Sequence, residues 1–185
     1  FRSAALVMLT NWRKDRPFYD PVCGSGTICI EAALIGHNIA PGFNRSFTCE
    51  TWDWVDPAIF EKVRNEAEAK ADYDVELDIC GSDVDGRMIE VARANAEEVG
   101  LGDSITFKQL ALKDFTTEKE YGVMVANPPY GERLGEEESV RRLYKEMGHV
   151  FRPLTTWSKY ILTSDLAFEE YYGAKATKKR KLYNG

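Results

Sequence analysis

One stretch, residues 123–133, constrains the fold of this chain more than any other, because a short apolar run stops there at an Asn-Pro-Pro-Tyr corner. The run Val123-Met124-Val125-Ala126 shows no polar alternation, which is typical of a strand covered on both faces in an α/β sheet. The two prolines that follow fix φ and lack a backbone N–H, so Asn127 and Pro128 are expected to be extended. The sequence therefore predicts a buried strand that ends in a loop whose carbonyl groups can face a ligand.

The corner after this strand has the chemistry needed to hold a base amino group. Such a group carries two hydrogens, and the corner offers two acceptors, the side-chain oxygen of Asn127 and the main-chain oxygen of Pro128. Tyr130 adds a flat surface on which a flipped-out base can stack. Holding an exocyclic nitrogen in line with a methyl donor supplies most of the catalysis that its methylation requires. The structural alternative is a plain turn, which Asn-Pro alone usually indicates.

A strand, a glycine turn and a helix follow one another in residues 17–36. The apolar run of residues 17–22 leads into Cys23-Gly24-Ser25-Gly26-Thr27, and a helical stripe then continues to Gly36. Glycines let the backbone approach a ligand, and the first turn of a helix presents N–H groups, so this turn predicts a nucleotide-type binding loop. A dinucleotide site would need Gly-x-Gly-x-x-Gly, whereas the third position here is Cys29, which argues against a dehydrogenase.

An acidic residue completes the predicted ligand site. The second strand is predicted over residues 75–79, and Gly81-Ser82-Asp83-Val84-Asp85 follows it. A carboxylate at the carboxyl end of this strand can accept hydrogen bonds from both hydroxyls of a ribose, which makes Asp83 the candidate. Asp85 has the alternative role of capping the helix that starts near Gly86.

The rest of the chain alternates strand and helix patterns, which predicts a doubly wound, mainly parallel sheet with its ligand at the carboxyl ends of the strands. Further strands are predicted over residues 105–110 and 157–163. A helix is expected from the acidic Glu136-Glu137-Glu138 to Pro153, and a short one over residues 166–172. The basic run Lys178-Lys179-Arg180-Lys181, continued by Leu182-Tyr183, predicts a charged edge strand with some phosphate contact.

Two runs carry a family resemblance: Asp20-Pro21-x-Cys23-Gly24-Ser25-Gly26-Thr27 and Asn127-Pro128-Pro129-Tyr130-Gly131-Glu132-Arg133. Together they closely resemble the S-adenosylmethionine-dependent RNA guanine-N2 methyltransferases that carry a THUMP domain, above all the bacterial 23S rRNA enzymes. The resemblance covers nearly the whole chain. It implies the class I Rossmann-like methyltransferase fold, a mainly parallel seven-stranded sheet with helices on both faces and an antiparallel strand near its edge. It also implies that residues 1–185 are a single methyltransferase domain, a fragment without the N-terminal THUMP region and the extreme C-terminus.

The resemblance also assigns roles to individual residues. S-adenosyl-L-methionine is expected to contact Asp20, Pro21, Cys23, Gly24, Ser25, Gly26, Thr27, Asp83 and Asn127. The catalytic corner is expected to comprise Asn127, Pro128, Pro129 and Tyr130. Guanine is expected to stack on Tyr130, with its N2 held for direct in-line methyl transfer.

Two assignments stay open. Relatives often place an acid just after the third strand, where it reaches the adenine amino group. This chain has Ala111 there, and Asp114 either substitutes for that acid or caps a turn. Arg133 is expected to bind substrate RNA through a phosphate or the base, with the alternative that it ties down its own loop.

Composition limits the partners. The net charge of −6 argues against this domain alone gripping a nucleic-acid backbone over a wide surface, so much of the affinity for RNA is expected from a missing N-terminal domain. The four cysteines form no Cys-x-x-Cys pair, which favours free thiols in a reducing cytosol over a metal site. No apolar run approaches the roughly 20 residues of a membrane span. A cytoplasmic enzyme is expected, with no metal and no membrane partner.

Three other functions remain compatible with these motifs. The RNA could be tRNA instead of rRNA, with the same guanine-N2 chemistry. Asn-Pro-Pro-Tyr also occurs in adenine-N6 methyltransferases that act on DNA or RNA. In a different class, the chain could be a non-catalytic module that binds S-adenosylmethionine or RNA.

Overall fold

The computed structural model describes residues 2–39, 58, 65, 71–72, 74–129 and 135–179. Within these residues, strands and helices alternate along the chain, as the sequence predicts. The strands are β1 (Phe18–Asp20), β2 (Ile79–Asp83), β3 (Ile105–Gln109), β4 (Val123–Ala126) and β5 (Ser158–Ile161). The helices are α1 (Arg2–Met8), α2 (Thr27–Gly36), α3 (Gly86–Glu98), α4 (Glu136–Phe151) and α5 (Phe168–Tyr172), and a 3₁₀ turn spans Leu112–Asp114.

The five strands form one sheet in the order β3-β2-β1-β4-β5. Every neighbouring pair is parallel, with Asp20 opposite Gly81 between β1 and β2, and Ala126 opposite Ile161 between β4 and β5. The strand order reverses between β1 and β4. Ligands of open α/β sheets bind at such a switch point, outside the carboxyl ends of the strands. The predicted doubly wound parallel sheet is therefore confirmed.

Helices cover both faces of this sheet. On one face, Phe18, Val123 and Val125 pack in a core that α1, α2 and α3 complete. On the other face, Met124 and Ala126 pack against the apolar stripe of α4. The side chains of β4 are at most 1% exposed on either face, which is why its sequence lacks polar alternation. Each large apolar side chain buried in this way contributes roughly 1.5–3 kcal/mol.

The predicted position of the second strand was wrong by four residues, since β2 spans Ile79–Asp83 and not residues 75–79. The reason is Gly81, which suggests a turn by sequence but lies inside the strand. A Cβ atom built on Gly81 would lie 3.0 Å from Cys23 Cβ and 3.0 Å from Cys29 Sγ. A side chain at this position would push Cys23 and Cys29 from their places, which favours glycine inside this strand.

The described residues form five strands, whereas the family resemblance implies seven. The antiparallel strand is not among those five. After β5 the described chain continues as α5 and then runs to residue 179 without strand pairing, so Lys178 and Lys179 do not lie in the predicted edge strand. Residues 180–183 of that prediction lie outside the described residues. Within the described ranges, no helix combines the length and the apolar character needed to cross a lipid bilayer.

Candidate active site

The loop after β1 lies pressed against the sheet and α3. Gly24 and Gly26 have φ angles of +52° and +82°, a region that residues with a side chain rarely adopt. A Cβ atom on Gly26 would lie 2.8 Å from the Phe107 ring and 2.9 Å from Ala92 Cβ. The side-chain amide of Asn95 on α3 donates a hydrogen bond of 3.0 Å to the carbonyl of Ser25. These contacts fix the path of the loop, and only glycine fits at Gly26.

Helix α2 begins directly after this loop, at Thr27. Gly26 is its N-cap residue and makes no side-chain capping hydrogen bond. The first-turn N–H groups of a helix have no partner within the helix, so they are suited to bind an anionic or acceptor group. Thr27 and Ser25 are joined by a hydrogen bond of 3.2 Å between their hydroxyl groups. The predicted binding loop is therefore followed by a helix start without a side-chain cap.

Asp83 is the last residue of β2, and its carboxylate is held by backbone groups of two different segments. Its Oδ2 accepts a hydrogen bond of 3.0 Å from the N–H of Gly24, and its Oδ1 accepts one of 2.9 Å from the N–H of Asp85. Each carboxylate oxygen can accept a second hydrogen bond. The side chain is thus oriented by the protein and retains capacity for ligand hydroxyls.

Asp85 has the structural role that the sequence offered as its alternative. Its side chain accepts a hydrogen bond of 2.9 Å from the N–H of Arg87 and caps α3. Hydrogen bonds from the Arg87 side chain and backbone hold the pKa of Asp85 below its ordinary value.

Asp20 ends the central strand β1 and is fully buried. Its Oδ1 accepts a hydrogen bond of 3.1 Å from the N–H of Val22, whereas its Oδ2 is buried and has no hydrogen-bond partner among the residues that the structure describes. Burial, with a smaller contribution from the nearby charge of Asp83, raises the pKa of Asp20 to about 7. A buried acceptor without a donor is costly. The end of β1 therefore holds an oxygen that a proton or a donor group from a ligand would stabilise.

Pro21 and Cys23, which precede Gly24 in the loop, are both buried. The N–H of Cys23 donates a hydrogen bond of 2.9 Å to the carbonyl of Ser82, which ties the loop to β2. The Cys23 side chain is buried, and burial raises the pKa of its thiol. Cys29 on α2 is also buried, and burial raises the pKa of its thiol too.

Within the described ranges, no three His, Cys, Asp or Glu side chains form a cluster suited to a metal ion.

The corner after β4 presents one polar side chain at the same edge of the sheet. Asn127 is exposed, Pro128 is buried and Pro129 is exposed. The register of β1 and β4 places Tyr19 opposite Met124, so the carboxyl ends of the two strands are neighbours. The structure thus brings the glycine loop, Asp83 and Asn127 to one edge. Tyr130 and Arg133, which the sequence assigns to the substrate, lie outside the described residues.

Asp114 is the last residue of the 3₁₀ turn after β3. Its N–H donates a hydrogen bond of 3.0 Å to the carbonyl of Ala111, which closes the turn. Its side chain is exposed, while Ala111 is half-buried. The turn follows β3 at its carboxyl end, on the side of the sheet where Asp83 lies. The contact of Asp114 with adenine stays a prediction.

Two supporting residues were not predicted from the sequence. The hydroxyl of Tyr19 donates a buried hydrogen bond of 2.5 Å to Ser82 Oγ, which joins β1 to β2 beneath the loop. The side-chain amide of Asn95 donates a hydrogen bond to the Ser25 carbonyl. The available signal for Asn95 was its place inside an amphipathic helix, between the buried Ala92 and Ala96.

The family model for the RMKL-like methyltransferase domain (UPF0020) matches residues 3–185. The chain belongs to this methyltransferase family. A Bacillus subtilis relative, "Putative RNA methyltransferase YpsC", is 64% identical over 99% of this chain and 48% of its own length. "Ribosomal RNA large subunit methyltransferase K/L" of Shewanella baltica is 37% identical over 99% of this chain and 27% of its own length. The chain therefore spans about half or less of the curated relatives it matches.

Two solved structures superimpose closely on this chain. SMU.472, "a putative methyltransferase complexed with SAH", superimposes with a TM-score of 0.95 at 60% identity, over 100% of this chain and 49% of that one. A Listeria monocytogenes structure described as "a predicted N6-adenine-specific DNA methylase" has a TM-score of 0.95 at 65% identity, over 98% of this chain and 48% of that one. The class I methyltransferase fold implied by the resemblance is confirmed.

Proposed function

We propose that this RMKL-like domain is the catalytic domain of an S-adenosyl-L-methionine-dependent RNA methyltransferase that modifies the exocyclic N2 of guanine, with 23S rRNA as its target. The observation that carries the proposal is the convergence of three features at one sheet edge. These are the glycine loop, the oriented carboxylate of Asp83 and the exposed amide of Asn127. A cofactor on the first two features would lie beside the third.

The residues of the loop fit the cofactor on three grounds. Gly26 has a left-handed backbone and no room for a side chain, which fixes the course of the loop and holds the first-turn N–H groups of α2 in place for a ligand. Asp83 has acceptor capacity for ribose hydroxyls, and Oδ2 of Asp20 needs a donor, such as an amino group. SMU.472 was crystallised with SAH, the demethylated form of S-adenosylmethionine, which supports the same choice. S-adenosylmethionine would supply a methyl group on a sulfonium, which a nitrogen lone pair attacks at carbon while S-adenosylhomocysteine leaves.

On the substrate side, the corner residues hold the nucleophile and do not activate it by deprotonation. The Asn127 side-chain oxygen and the Pro128 carbonyl accept the two hydrogens of N2, which directs its lone pair at the methyl group. After it has gained the methyl group, the nitrogen releases one proton to water, which reaches the site at the exposed Asn127. Pro128 is buried and Asn127 is exposed, so a fixed backbone carries an accessible amide. Tyr130 is proposed as the stacking surface and Arg133 as a contact to RNA.

Guanine-N2 and adenine-N6 are the two competing acceptors. Both are exocyclic amines, and the same pair of acceptors serves either one. The relative named for ribosomal RNA favours an RNA target, while the Listeria structure is described as acting on adenine in DNA. We favour guanine in rRNA because the full motif around Asn127 resembles the guanine-N2 enzymes, and tRNA is the second RNA candidate.

The acidic character of the chain bears on how RNA is held. With a net charge of −6, this domain would bind a phosphate backbone weakly. The chain spans 48% of YpsC, so a further region of a longer protein, such as a THUMP domain, is proposed to supply most of the affinity. We propose that the whole enzyme acts in the cytoplasm, where rRNA is made and thiols stay reduced.

The test is nucleoside mass spectrometry of deproteinised bacterial rRNA and tRNA after incubation with S-adenosylmethionine and the full-length protein. We expect N2-methylguanosine to rise in rRNA. Asn127→Ala should lower its formation by about 10²-fold or more, as for removal of one transition-state hydrogen bond. Asn11→Ala is the matched control, since Asn11 is an exposed amide that bonds to Ser158 and Tyr160 away from the corner. A rise in N6-methyladenosine would show that the target base is adenine and not guanine. The absence of any methylated product with either RNA would refute the RNA methyltransferase proposal.

A further inference from the structure

A second polypeptide segment borders the Asn-Pro-Pro corner, and it comes from the loop after β5. The β4–β5 ladder continues one residue past the strand ends, because the N–H of Leu162 donates a hydrogen bond of 2.9 Å to the carbonyl of Ala126. The backbone of Leu162 therefore lies beside the start of the corner at Asn127. Residues 163–167, here called the Asp165 turn, follow at the same edge of the sheet.

Asp165 organises this turn through its own backbone and side chain. The N–H of Asp165 donates to Thr163 Oγ1 at 3.0 Å, and Asp165 Oδ1 accepts from the N–H of Ala167 at 2.9 Å. The Asp165 side chain is only 17% exposed. Local bonds of this kind are the usual way in which Asp and Thr fix a turn. The Asp165 turn is thus a defined structure and not an open loop.

Helix α4 holds the turn from behind. Arg141 donates from Nε to Asp165 Oδ2 at 3.1 Å and from Nη1 to the hydroxyl of Tyr171 at 3.1 Å. The Tyr144 hydroxyl is hydrogen-bonded to Thr163 Oγ1 at 3.0 Å. Helix α4 is also the helix into which the chain continues after the Asn-Pro-Pro corner. Both borders of the candidate site are therefore connected to one helix.

The fixed turn presents a single large apolar side chain to solvent, that of Leu166, which is fully exposed. An isolated exposed leucine is ordinary. Here, however, the residues on either side of it are hydrogen-bonded in place and the site edge is close. Leu166 is four residues past Leu162, so the two Cα atoms lie within about 14 Å of each other, a distance that a few stacked bases span.

We propose that the Asp165 turn is the second wall of the substrate site and that Leu166 packs against an RNA base next to the target nucleotide. This inference rests on the proposed function for its choice of RNA. Methylating an exocyclic amine requires the base to leave its stack, which exposes the faces of the neighbouring bases. Apolar side chains such as leucine can occupy the opened step and keep the base out. Arg141 and Asp165 are positioning residues, because they act only through the turn.

Site-specific crosslinking tests the contact directly. Leu166 is replaced by p-benzoylphenylalanine in the full-length protein, which is irradiated with deproteinised bacterial rRNA. Tyr121 receives the same replacement as a control, since it is 62% exposed and precedes β4 at the opposite edge of the sheet. We expect RNA adducts at position 166 that exceed those at position 121 by at least about tenfold. Equal adducts at both positions, or adducts at 166 to protein alone, would overturn the inference.

Kinetics give the second readout. Leu166→Ala should lower kcat/KM for rRNA by about tenfold, since the packing of one leucine is lost, while the affinity for SAH stays unchanged. Met8→Ala is the control, because Met8 is an exposed residue on α1. A kcat/KM within twofold of the wild type would refute the role of Leu166. If the wild type forms no methylated nucleoside but position 166 still crosslinks to RNA, the proposed function fails and the RNA contact stands.

Discussion

The N–H of Gly24 donates a hydrogen bond of 3.0 Å to Oδ2 of Asp83. This bond joins the loop after β1 to the end of β2, two segments that the sequence assigns separately to the cofactor. The loop cannot shift without moving the carboxylate or breaking the bond. Cofactor affinity should therefore depend on both segments together.

Asp83→Asn tests the carboxylate with almost no change of shape. An amide has one acceptor oxygen and one NH₂ group. The backbone N–H of either Gly24 or Asp85 would therefore face the NH₂ group, donor against donor, and lose its hydrogen bond. We expect the affinity for SAH, measured by calorimetry, to fall by about tenfold or more, as for the loss of a charged hydrogen bond. Asp85→Asn is the matched control and should keep the wild-type affinity, because Asn caps a helix as well as Asp. Equal losses in the two variants would contradict a ligand role for Asp83.

Gly26→Ala tests whether the loop needs its close approach to Phe107. Gly100 provides the control, because its φ is +77° and no atom of the described part of the chain lies within 4 Å of a Cβ built there. Both alanine variants bear the cost of a left-handed backbone, about 1–2 kcal/mol. Gly26→Ala adds overpacking of about 1–3 kcal/mol. Chemical denaturation should show the larger loss for Gly26→Ala, and only that variant should bind SAH more weakly.

Asp20 makes the stability of the ligand-free protein depend on pH. Burial raises its pKa to about 7 in the folded state, against about 3.9 in an unfolded chain. Between these two pKa values the folded state binds more protons than the unfolded state. The contribution of Asp20 to the free energy of unfolding therefore falls as pH rises from about 4 to 7. The free energy of unfolding that Asp20 contributes falls over this pH range by an amount on the order of 4 kcal/mol. Asp20→Asn should flatten this slope in denaturation curves and be the more stable form at pH 8.

An unchanged slope in Asp20→Asn would show that Asp20 has a partner in solution. Asp103→Asn is the control for the loss of one carboxylate, because Asp103 is exposed. That variant should keep the wild-type slope.

Much of the site could be predicted because it rests on short-range signals. The apolar run of β4 and the Asn-Pro-Pro corner are contiguous, and so is the glycine loop. Asp83 was placed at a strand end even though the strand itself was displaced by four residues, because Gly81 looks like a turn until its neighbours are known.

The supporting contacts could not be predicted, because they join distant parts of the chain. Ser82 lies 63 residues from Tyr19, and Asn95 lies 70 residues from Ser25. No local pattern marks either partner. Their pairing is decided by the parallel register and by the position of α3 over the loop.

The short central strand has a consequence for synthesis on the ribosome. β1 has only three residues, and its neighbours in the sheet are β2 and β4, both made much later. While the ribosome is between Gly36 and Ile79, the glycine loop and α2 have been made, but neither β2 nor β4 is available to pair with β1, and Asp83 is not yet there to accept from the Gly24 N–H. Long-range parallel pairing of this kind forms slowly and leaves apolar surface exposed in the meantime. Chaperone binding during translation should therefore peak before β4 emerges and decline once Val123–Ala126 can close the sheet.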